Sequence, residues 1–111
     1  MTTLFGSLML DIHGTWLTAE DRRILRQPEV GGLILFARNI EDPRQVRELC
    51  ASIRAVRPDL LLAVDQEGGR VQRLRNGFVR LPAMRALADN DNAEQLAEHC
   101  GLLMATEVVA V

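Results

Sequence analysis

Lysine and tyrosine are absent from the 111 residues, and aromatic side chains make up only 4% of them. All 13 basic residues are therefore arginines, set against 15 acidic residues for a formal charge of −2. Without a cationic excess, and with few rings on which bases could stack, the chain is a poor partner for nucleic acid. Long apolar runs are lacking too. The N-terminal one, Leu8 to Leu10 with Leu4 and Phe5 before it, is far shorter than the ~20 residues of a membrane-spanning helix. It also lacks the charged leader of a secretory signal, so a cytoplasmic protein with no membrane partner is expected. Cysteine is sparse: Cys50 and Cys100 fall in helix-like stretches, as reduced and buried thiols do, rather than in a disulfide or zinc framework.

No repeat or Pro/Gly/Ser linker divides the sequence, so residues 1–111 form one architectural unit. Three short apolar runs alternate with helical patterns: Leu4 to Leu10, Gly32 to Phe36 and Leu60 to Val64. The second and third are apolar at nearly every position, the pattern of parallel strands covered on both faces. Thr18 and Asp21 have capping-box spacing and open a helix that stops before Pro28. Asp42 caps a second helix with Pro43 in its first turn, and Val46, Leu49, Cys50 and Ile53 form its apolar stripe until Pro58. Asn92 with Gln95 predicts the cap of a last helix running towards Val108. The order is β-α-β-α-β, a long loop, then helix, which makes the fold class α/β with a parallel sheet. A complete (β/α)₈ barrel takes about 250 residues, more than twice this length.

Ligands meet such folds at the carboxyl ends of strands. Those ends are Asp11 to Gly14, Ala37 to Asn39, and Asp65-Gln66-Glu67-Gly68-Gly69-Arg70, the last being the richest in polar groups. Asp65 either accepts backbone N–H groups within the turn or faces a ligand. Asp65 and Glu67 as a catalytic carboxylate pair is disfavoured, because two acids in one loop rarely flank a bond from opposite sides. A metal site there is equally weak, His13 being the only nearby nitrogen ligand. Among Arg70, Arg73, Arg75, Arg80 and Arg85, one or two are expected to point into the cleft, where a guanidinium fork can hold hydroxyl or carboxylate oxygens. His99 reads as a helical surface residue, and Trp16 as an anchor for the helix that follows it.

The stretch from Val30 to Asn39 (Val-Gly-Gly-Leu-Ile-Leu-Phe-Ala-Arg-Asn), Asp42-Pro43, and the block from Ala63 to Leu74 (Ala-Val-Asp-Gln-Glu-Gly-Gly-Arg-Val-Gln-Arg-Leu) together resemble the bacterial β-N-acetylglucosaminidases of glycoside hydrolase family 3, in their N-terminal part. Leu8 to Asp11, Gly77-Phe78, Arg80 to Pro82 and Leu103 to Glu107 extend the likeness over essentially the whole chain. The resemblance implies an N-terminal part, about three β/α units, of a TIM-like (β/α)₈ barrel. It implies a retaining hydrolase, working through a covalent glycosyl-enzyme with no metal or organic cofactor. The substrate it implies is a muropeptide from which terminal N-acetylglucosamine is removed in peptidoglycan recycling. By position, Asp65 would hold sugar hydroxyls and Arg73 would help to bind the same sugar.

The family's nucleophilic aspartate, its histidine acid/base with a partnering aspartate, and its substrate-binding lysine-histidine pair all fall downstream of residue 111. No catalytic residue is therefore assigned here. The expectation is a truncated portion of one catalytic barrel, inactive alone, within an intact enzyme that is monomeric. Three parallel strands in a sheet that never closes leave edges unpaired, so the isolated segment is expected to self-associate or aggregate. The competing expectation is a non-catalytic sugar-binding or self-associating α/β module that closes its sheet by oligomerising.

Overall fold

The computed structural model describes residues 5–111; Leu4, with which the first apolar run begins, lies outside them. Three parallel strands form the central sheet in the order β1 (Leu8–Leu10), β2 (Val30–Leu35), β3 (Leu61–Val64). Leu10 pairs with Leu33, and Gly32 to Leu35 pair in step with Leu61 to Val64. In β2, Val30, Gly32, Leu33 and Leu35 are all buried. The edge strands differ: Leu8, Met9 and Leu61 are exposed, and Leu62 to Val64 only half-buried. Covering on both faces thus holds for β2 and fails for β3, which among the described residues has a strand neighbour on one side only. At Gly32, which pairs with Met9 of β1, a Cβ would stand 2.8 Å from the Met9 methyl and 3.2 Å from the Leu61 carbonyl oxygen, so a larger residue there would push the Met9 side chain aside.

The first two helices arise from the signals that predict them. In α1 (Ala19–Leu25) the Thr18 hydroxyl accepts from the Asp21 N–H at 3.0 Å, and the Asp21 carboxylate accepts from the Thr18 N–H at 2.9 Å. In α2 (Pro43–Val56) the Asp42 carboxylate accepts from the Gln45 N–H at 2.8 Å, with Pro43 in the first turn. Val46, Leu49, Cys50 and Ile53 are its buried face, packed with Leu25, Leu33 and Leu35 in the core. Just past α2, the Arg57 guanidinium donates to the carbonyls of Leu25, Gln27 and Val30 and pairs with Asp59. It thereby joins the end of α1, the start of β2 and the approach to β3.

Beyond β3 the structure departs from the expected long loop. Gln66–Gly68 and Val71–Gln72 form a short antiparallel hairpin, β4 and β5, and Met84–Ala88 form a one-turn helix, α3. The hairpin has no apolar alternation to betray it; two buried amides hold it instead. The last helix, α4 (Ala93–Ala110), buries Cys100 and rests Val108 against the core. Its expected cap does not form: the Asn92 side chain makes no capping bond, and its backbone (φ −107°, ψ 35°) is far from the extended conformation that aims an N-cap side chain at the first turn. The radius of gyration is 16.1 Å, whereas a close-packed domain of this length has about 13 Å.

Candidate sugar-binding site

The carboxyl ends of β1, β2 and β3 meet on one side of the sheet, and each strand delivers its first polar groups there. Asp11 follows β1, Phe36 and Arg38 follow β2, and Asp65 follows β3. Arg38 donates to the Asp11 carboxylate and to the Ile12 carbonyl, the latter at 3.1 Å. Asn39 is wholly buried; its amide donates to Ile12 and Gly14 at 3.0 and 2.7 Å and accepts from the Phe36 N–H at 2.9 Å. The loops after β1 and β2 are thus bonded into one rim.

Asp65 is half-buried and forms no ion pair among the described residues. The accepting role inside the turn falls instead to the neighbouring Gln66. Its Oε1 takes the N–H groups of Arg73 and Leu74 at 3.1 and 3.0 Å, and its Nε2 donates to the Leu74 carbonyl. Gln72, also buried, donates to the carbonyls of Leu74 and Val79 and accepts from the Leu81 N–H at 2.9 Å. Gly68 and Gly69 turn the hairpin at φ +89° and +59°. At Gly68 a Cβ would come within 2.2 Å of the Pro82 carbonyl oxygen, so the close approach as well as the turn requires glycine.

The arginines after the hairpin separate by role. Arg75 donates to the Gln72 carbonyl at 2.6 Å, Arg80 donates to Gly69 at 3.1 Å, and Arg70 and Arg85 are exposed. Arg73, directly after β5, is the one that lies over the strand ends: its guanidinium carbon is 5.9 Å from the centroid of the Phe36 ring. Its Nε is buried and has no hydrogen-bond partner among the described residues. The side of the molecule that carries Asp65 thus also carries an arginine whose donor capacity is unfilled.

Other expectations fare differently. His13, Glu67 and His99 are exposed, and no three His, Cys, Asp or Glu side chains are gathered together among the described residues. Trp16 does not anchor α1: it is exposed, and Leu17 beside it is the buried residue. Cys50 and Cys100 are free and buried, and burial pushes the Cys50 thiol pKa up, with Arg54 opposing. A cavity of about 440 Å³ lies between the sheet and helices α2 and α4, among Leu35, Val46, Cys50, Val64, Met104 and Val108. Its apolar lining is that of a core boundary rather than a site for a polar ligand. No helix among the described residues is long and apolar enough to cross a membrane.

The sequence alone gives no individual role to Asn39, Gln66, Gln72, Phe36 or the Asp11–Arg38 pair. Asp11 and Arg38 are 27 residues apart, and their only signal is that each lies among the first polar residues after a strand.

Known proteins match this arrangement. The β-hexosaminidase of Pseudomonas aeruginosa is 87% identical over 106 residues, which are 96% of this chain and 32% of that protein. The crystal structure of NagZ from Neisseria gonorrhoeae in complex with N-trifluoroacetyl-D-glucosamine superposes with a TM-score of 0.89 at 43% identity, over 95% of this chain and 33% of that one. A glycoside hydrolase family 3 β-N-acetylglucosaminidase from Paenibacillus gives 0.82 at 32% identity, over 92% and 20%. The chain spans about a third of the length of the curated relatives it matches. Its β/α units are those of the N-terminal part of a TIM-like barrel. Residues 8–111 match the glycosyl hydrolase family 3 N-terminal domain, and the chain belongs to that family.

Proposed function

We propose that residues 1–111 are the N-terminal portion of a single catalytic barrel, that of a retaining β-N-acetylglucosaminidase. The enzyme acts in the cytoplasm on muropeptides, removing terminal N-acetylglucosamine during peptidoglycan recycling, as a monomer and without a cofactor. Within this portion Asp65 holds sugar hydroxyls and Arg73 binds the same ring. The groups that break the glycosidic bond belong to the rest of the barrel.

The observation that carries this reading is that, among the described residues, the Asp65 carboxylate at the end of β3 forms no ion pair and the Nε of Arg73, beyond it, has no hydrogen-bond partner. A carboxylate accepts sugar hydroxyls and a guanidinium donates to them, so the two together fix the orientation of a pyranose ring. Such contacts accelerate hydrolysis to the extent that they tighten as the ring flattens towards the oxocarbenium ion.

The test joins this segment to the remaining two thirds of the Pseudomonas aeruginosa β-hexosaminidase and follows release of 4-nitrophenol from 4-nitrophenyl N-acetyl-β-D-glucosaminide. The joined polypeptide is expected to hydrolyse the glycoside and the segment alone is not. Asp65→Ala in the joined polypeptide is expected to lower kcat/KM by about 100-fold, the loss of a charged hydrogen bond. Unchanged turnover in that variant would remove Asp65 from the site.

A further inference from the structure

Phe36 is the first residue after β2, and its surroundings go beyond those of a packed ring. Its N–H is tied to the buried Asn39 amide at 2.9 Å. Two guanidinium groups approach its ring, Arg38 at 4.9 Å from the centroid and Arg73 at 5.9 Å. Arg38 is held by the Asp11 carboxylate, which neutralises it, and by the Ile12 carbonyl. Arg73 has no such hold: it forms no ion pair among the described residues and its Nε is unbonded. The Gln66 amide fixes the backbone of Arg73 but not its side chain. The aromatic face is therefore the surface on which that guanidinium rests, within the range at which a ring quadrupole attracts a cation.

We propose that Phe36 is a positioning residue of this site: its ring, carried on backbone that Asn39 fixes and flanked by the Asp11-held Arg38, aims the Arg73 guanidinium at the ligand. The inference rests on Arg73 binding the sugar, as proposed above, and adds how the arginine is oriented. By pairing with Arg38, Asp11 also leaves Arg73 as the cation beside the ring that has no ion-pair partner among the described residues.

The experiment is a double-mutant cycle in the joined polypeptide with the 4-nitrophenyl glycoside. Phe36→Leu is expected to lower kcat/KM by about 3- to 30-fold, the range spanned by a cation–π contact, and Phe36→Trp to restore it. In an Arg73→Ala background Phe36→Leu is expected to change kcat/KM by less than about 2-fold, because the group it orients is gone. A purely structural ring would lower the melting temperature and give the same loss of kcat/KM in both backgrounds, which would overturn the proposal. Should Phe36→Leu fail to fold, Arg38→Gln serves in its place, with a loss expected beside Arg73 and none without it. If Arg73→Ala alone leaves kcat/KM unchanged, Arg73 does not bind the sugar and the positioning role falls with it. If Arg73→Ala is impaired but the effects of Phe36 are additive, only the positioning role falls.

Discussion

Two buried amides do at the residue scale what a hydrophobic pair does elsewhere. The Gln72 side chain, fully buried, answers two carbonyls and one N–H from three different points of the chain. Replacing it by leucine would strand those groups away from water, so Gln72→Leu in the joined polypeptide is expected to lose about 2–4 kcal/mol. Denaturant unfolding measures it, and a loss below half of the lower figure would mean that water replaces the amide. Cys50 gives a pH-dependent counterpart. Its folded pKa is raised by burial, so the stability held by the protonated thiol is complete below the ordinary thiol value of 9.0 and is lost as pH rises through the raised one. Alkylation of Cys50 at pH 8 is accordingly expected to be slow until denaturant is added, as mass spectrometry of the labelled peptide would record. Rapid labelling of the native protein would show that the thiol is open to solvent.

At the scale of elements, the helices follow from local chemistry and the hairpin does not. Thr18 to Asp21 and Asp42-Pro43 are signals in which the capping group and the capped N–H lie within three residues, so spacing alone defines them. Thr18→Ala is expected to lower stability by about 1 kcal/mol, read as a shift in the denaturation midpoint. Arg57→Met removes a longer-range tie, three carbonyls some 27 to 32 residues away, and is expected to destabilise by about 2 kcal/mol. The β4–β5 hairpin depends on Gln66 and Gln72 bonding to backbone up to nine residues ahead, a pattern that neither hydrophobic periodicity nor turn preference exposes. Asn92 shows the converse, a residue of the right type whose backbone turns its side chain away from the helix. The site divides along the same line. The family resemblance is what singles out Asp65 and Arg73, whereas Phe36, Arg38 and Asn39 depend on how the ends of β1 and β2 come together.

For the whole molecule, the governing fact is an open sheet. Leu8 and Met9 on one edge and Leu61 on the other are exposed, and among the described residues β1 and β3 each leave a row of backbone groups without a strand partner. The isolated 111-residue chain is expected to form oligomers or aggregates, which light scattering would detect; a sharp unfolding transition of a stable monomer would contradict this. On the proposed reading, the carboxyl ends of these strands carry a sugar-binding rim made by Asp65 and Arg73, and the rest of the barrel supplies the catalytic groups. The most direct test compares 4-nitrophenol release by the purified segment, by the joined polypeptide and by its Asp65→Ala variant. The account predicts no release by the segment, release by the joined polypeptide, and a loss of about 100-fold on substitution of Asp65. Hydrolysis by the segment alone at a rate near that of the joined polypeptide, or an undiminished rate in the Asp65→Ala variant, would contradict it.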